Sequence, residues 1–133
     1  MSTAPLLTAI RRQAASDTTL WNLIDGHFYY DWADDDVRMP YVVYTVERDT
    51  PVRTFAKGKE FYETSVEFQI FDKNSSVSNI LTIAAALQDA YDRESLTYVL
   101  PNYGIGCWLE DSVGPYKNED GWDMTLNFGI NYH

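Results

Sequence analysis

The sequence predicts a single α+β domain: a mainly antiparallel sheet of four to five strands, with one main helix and short N-terminal helices packed on it. Three observations predict it. Val66, Phe68 and Ile70 alternate with Ser65, Glu67 and Gln69, and this period of two marks a half-buried strand. The same period runs through the eleven residues from Trp122 to Tyr132. Between these stretches, Val77, Ile80, Leu81, Ala84, Leu87 and Tyr91 recur at helical spacing, which places them on one face. A chain of 133 residues suits one domain, and it buries enough surface to fold without a metal or a disulfide.

Taken in order, Pro5 suits a first helical turn, and Leu6 or Leu7, Ile10 and Ala14 share a face. Asp17 or Thr18 is placed to cap a second short helix carrying Leu20, Trp21 and Ile24, which Gly26 ends. A weak alternation over 27–32 puts Phe28, Tyr30 and Trp32 on one side and leads into an acidic turn, Asp34-Asp35-Asp36. Pro40 introduces a strand from Tyr41 to Glu47, with Val42, Tyr44 and Val46 on one face. Residues 50–59 read as a long basic connection into a second strand, Phe61 to Phe71, and the two make an antiparallel hairpin. Asn74, Ser75 and Ser76 are expected to cap the main helix, Val77 to Tyr91. Ile105 to Val113 is a further strand, and Gly114 to Gly121 a turn-rich loop before the last one.

The charge excludes some functions. A net charge of -10 is opposed to tight binding of a phosphate backbone, which needs clustered Lys and Arg. Its distribution is uneven. Between Gln13 and Val37 there are six aspartates and no Lys or Arg, whereas Arg48, Arg53, Lys57 and Lys59 fall in one short stretch. An acidic segment and a basic loop on one chain suit head-to-tail association of identical subunits. The 4 Trp, 10 Tyr and 6 Phe supply core rings and, at a surface, anchors for a partner.

Chemistry finds little support. His27 and His133 have no Cys, second His or carboxylate at metal-ligand spacing. The stretch from Asp31 lacks the glycine at position six and the glutamate at position twelve of a calcium loop; Val42 stands at twelve. No phosphate-cradling glycine loop or serine elbow is present. Scattered carboxylates leave a hydrolase as a distant alternative. Cys107, the single cysteine, alternates with Ile105 and Leu109 as a buried structural thiol, and no intrachain disulfide is possible. The N-terminal stretch lacks the pattern of a signal peptide, and no segment reaches the apolar length of a membrane helix. A cytoplasm-like setting is therefore expected.

Four features together resemble the phage tail-completion family, which includes tail terminators and tail-to-head joining proteins. They are the amphipathic opening LLTAIRRQAASDTTLWNLIDG, the strand start Pro40-Tyr41-Val42-Val43, the strand-to-helix run over 66–92, and the closing hairpin with its long alternating strand. The resemblance implies helices on a mainly antiparallel sheet and a virion protein without enzymatic activity or cofactor. It implies a ring, typically a homohexamer, at the head-proximal end of the tail. There the ring would stop tail-tube growth and join the tail to the head connector or closure protein. DNA would pass through the lumen without specific binding, and before assembly the protein would reside in the host cytoplasm. On that reading Arg53, Phe55, Lys57, Lys59 and Phe61 form the expected interface, and Asp34, Asp35 and Asp36 an acidic lumen or contact surface. A small adaptor or inhibitor binding a host protein through an aromatic-rich surface is the alternative.

Overall fold

The computed structural model describes residues 4–33, 38–53, 60–73, 76–92 and 105–132. The elements run α1 (Ala4–Ser16), α2 (Thr18–Leu23), β1 (Phe28–Tyr30), β2 (Tyr41–Arg53), β3 (Glu60–Asp72), α3 (Ser78–Tyr91), β4 (Ile105–Asn118) and β5 (Gly121–Tyr132). The five strands form one sheet in the order β1-β2-β3-β5-β4. Every pairing is antiparallel except that of β1 with β2. The α+β expectation holds, and the weak alternation after Gly26 becomes a three-residue parallel strand pairing Phe28 with Val42.

The helices and the inward positions of the strands make one core. Leu6, Ala9, Ile10 and Ala14 of α1, Leu20 of α2 and Ile80, Ile83 and Leu87 of α3 are buried with Val42, Val66, Phe68, Leu126 and Phe128 of the sheet. Removing this apolar area from water is the main stabilising term. Polar bonds then fix how the layers sit. The Tyr91 hydroxyl, inside the core, donates to the Ile10 carbonyl at 2.5 Å and ties α3 to α1. Gln13 Nε2 donates to the Ala90 carbonyl at 2.8 Å. Arg11 donates to the Phe28 carbonyl at 2.7 Å while its guanidinium lies 5.5 Å from the centre of the Trp21 ring. One arginine thus joins both N-terminal helices to the edge strand.

Several local expectations hold and several change. Asp17 caps α2 by accepting from the Leu20 amide at 3.0 Å. Asn74 and Ser75 lie outside the described residues; Ser76 accepts from the Ser78 amide, and the residue preceding α3 is Val77, whose side chain makes no cap. Leu81, expected on the buried face, is 44% exposed, and Ile83, which that reading did not include, is fully buried. The strands are longer than the sequence reading made them. β2 continues to Arg53, so the hairpin connection is residues 54–59 and not 50–59. β4 runs on to Asn118, so Tyr116, Lys117 and Asn118 of the expected loop from Gly114 are paired with β5. The β4–β5 turn is pressed onto the end of β3. Gly121 has φ +141°, and a Cβ there would collide with the Asp72 carbonyl, so only glycine fits.

Candidate functional site

Of the expected interface residues, Arg53 ends β2 opposite Glu60, and Phe61 lies in β3 opposite Val52. Their side chains, with Phe55, Lys57, Lys59, Asp34, Asp35 and Asp36, lie outside the described residues. The structure instead draws attention to the other face of the sheet, which no helix covers among the described residues.

Two β-bulges build a cleft there. On β2 the register passes from Val46 opposite Val66 to Arg48 opposite Ser65, which leaves Glu47 unmatched. On β4 it passes from Leu109 opposite Phe128 to Asp111 opposite Asn127, which leaves Glu110 unmatched. Val66 and Phe128 are themselves paired across the sheet centre. The two bulges therefore flank the same rung from opposite sides, and each holds a glutamate. Bulges bend a strand and re-aim the extra residue. Between them the sheet encloses an open cleft of about 380 Å³ whose lining includes Glu47, Ser65, Glu67, Glu110, Asp111 and Asn127.

The electrostatics follow from four carboxylates in one cleft. Glu67 is held against Glu47, and a hydrogen bond from one carboxyl to the other pushes the Glu67 pKa up to about 7. Partial burial and the Glu47 charge add to the shift, since each disfavours a second negative charge. Asn127 Nδ2 donates to Asp111 Oδ1 at 2.6 Å and fixes that carboxylate. No ion pair joins these carboxylates to a Lys or Arg among the described residues. Nor does any group of three or more His, Cys, Asp or Glu among those residues have a metal-binding geometry. The cleft offers hydrogen-bond acceptors and negative potential, the chemistry that receives cationic side chains.

The raised Glu67 pKa has a measurable consequence. A carboxyl whose folded pKa lies above its unfolded value stabilises the fold at low pH, and that contribution is lost as pH rises through the folded value. The thermal midpoint is therefore expected to fall as pH rises from the ordinary carboxyl value of 4.5 to about 7. Glu67→Gln should remove most of that slope in a calorimetric pH series, and equal slopes in the two proteins would contradict the shared-proton geometry.

Next to the cleft, β4 presents Trp108, Val113 and Tyr116, which are 37%, 42% and 58% exposed. At the other end of the sheet Tyr30 and Trp32 are 44% and 67% exposed. Cys107 is buried as expected, and burial, with the Asp92 charge nearby, pushes its thiol up to about 12. None of the cleft carboxylates stands out in sequence. Glu67 is legible only as an outward strand position, and the two bulges that expose Glu47 and Glu110 leave no signal.

No protein-family model matches the chain, and no curated protein matches it in sequence. Solved structures do. A chain from the virion of a native gene transfer agent particle superposes with a TM-score of 0.76 at 17% identity, covering 98% of each chain. The bacteriophage SPP1 gp17 protein is similar with a TM-score of 0.55 at 14% identity, over 99% of this chain and 94% of that one. At these identities the likeness is one of fold, and it runs from one end of the chain to the other.

Proposed function

We propose that the chain is a structural, non-enzymatic virion protein of a tailed phage or prophage, which forms a ring at the head-proximal end of the tail. In this role it ends tail-tube growth and joins tail to head. Its partners are further copies of itself, as a homohexamer, the tail-tube protein and the head connector or closure protein. The observation that carries the proposal is the end-to-end likeness to a chain of a virion particle, at a TM-score of 0.76. The family resemblance in the sequence points the same way. The net charge of -10 supports a lumen that DNA crosses without sticking, because like charge opposes adsorption.

The test is to add purified protein to growing tail tubes and image them by electron microscopy. Rings at one end of tubes of bounded length are expected, and uncapped tubes that keep growing would overturn the proposal. The rival reading, an adaptor that binds a host protein through exposed rings, has Trp32 and Tyr116 in its favour. It would instead give a stable one-to-one complex and no rings.

A further inference from the structure

We infer that the cleft between the two bulges is a socket for the basic tip of the β2–β3 hairpin of a second copy of this chain. This rests on the ring reading above and names the contact that would build the ring.

The socket is defined by backbone geometry as well as charge. The bulges at Glu47 and Glu110 stand on either side of one rung, and Glu67 and Asp111 face the space between them. Among the described residues no helix covers its wall, and its polar groups lack a cationic partner. A cation docking there would meet fixed acceptors, because Asn127 already orients Asp111.

The occupant follows from charge complementarity. The chain has 10 Lys and Arg residues in all, and Arg53, Lys57 and Lys59 fall within seven consecutive positions at the hairpin tip. No other stretch of this acidic chain offers such a density of positive charge. The paired strands carry both ends of the connection away from the socket. β2 and β3 stay paired from Arg48 opposite Ser65 out to Arg53 opposite Glu60. Six residues of extended strand separate Arg53 from Glu47, about 20 Å at the strand rise. The contact is therefore placed between copies. A tip on one surface entering a socket on another is a heterologous contact, which closes into a ring when the rotation between subunits closes. Trp108, Val113 and Tyr116 on β4, the strand that carries Glu110 and Asp111, supply apolar area that such a contact would cover.

Charge exchange on tail tubes tests the inference. Two double variants are compared with the wild type, Glu110→Lys with Asp111→Lys in the socket and Lys57→Glu with Lys59→Glu in the tip. A third protein combines all four changes. Circular dichroism and the thermal midpoint establish that each is folded. Each double variant is expected to lower the fraction of capped tubes by at least about tenfold, since facing like charges oppose docking. The combined variant should recover most of it. If the wild type caps tubes and the socket variant caps them equally well, the socket is wrong and the ring reading stands. Failure of the combined variant to recover would also overturn the pairing of tip and socket. If the wild type itself caps no tubes, the ring reading falls and the socket with it.

Discussion

Replacing Phe68 with alanine is expected to lower the unfolding free energy by about 3–5 kcal/mol, the usual cost of removing a buried aromatic ring. Phe68 is fully buried on the central strand β3. Its ring centre lies 4.9 Å from that of Tyr91, 5.4 Å from Phe128, 6.1 Å from Phe28 and 6.2 Å from Tyr44. Those neighbours belong to α3, β5, β1 and β2, so one ring touches both sides of the sheet order and the helix layer. Truncation would leave a cavity walled by four rigid rings, which collapse poorly into it. In a domain with a total stability of about 5–15 kcal/mol, that loss removes a large share. Urea denaturation measures it, and a loss below about 1 kcal/mol would mean the neighbouring rings repack to fill the space.

The second large effect is expected at Gly129. This residue is buried in β5 opposite Trp108, and a Cβ there would run into the Trp108 indole and Glu110 Oε1. The glycine lets the indole lie flat across its neighbour, covering backbone that would otherwise meet water. Gly129→Val should cost about 1–3 kcal/mol through overpacking. It should also displace Trp108, with a change in tryptophan fluorescence. In a Trp108→Ala background the same substitution should cost clearly less, because the obstructing ring is gone. An undiminished cost in that background would show that the close approach is not the cause.

How far the fold was legible follows from the same physics. β3, α3 and β5 are plain in the sequence because each carries a long, uninterrupted period set by one buried face. The ends of β2 and β4 look like loops in the sequence because Pro51, Gly114 and Pro115 are local chain breakers. The sheet tolerates them for positional reasons. Pro115 lies on edge strand β4 at a register irregularity between Val113 and Tyr116, where a missing amide breaks no ladder. Pro51 lies beyond the three residues of β2 that pair with β1, so among the described residues no strand pairs with that side of β2 there. Leu81 fits the helical period and still faces outward, since the packed stripe of α3 runs through Ile80, Ile83, Ala84, Leu87 and Tyr91.

The candidate site was half legible. The basic tip appears in the sequence as a local density of charge. The cleft does not, because Glu47, Glu67 and Glu110 are far apart in the chain and meet only through strand order and two single-residue slips in register. Such slips depend on how neighbouring strands pair, and no local pattern announces them.

Cys107 supplies a last consequence. It is the chain's single thiol, and it sits on the inner side of an edge strand with its proton held tightly. An alkylating reagent needs the thiolate in water, so it can react only when β4 lifts from its neighbour or the whole domain opens. Alkylation rates measured across a denaturant series would separate these two events. The lone sulfur therefore acts as an internal timer for the opening of the sheet at the strand beside the cleft.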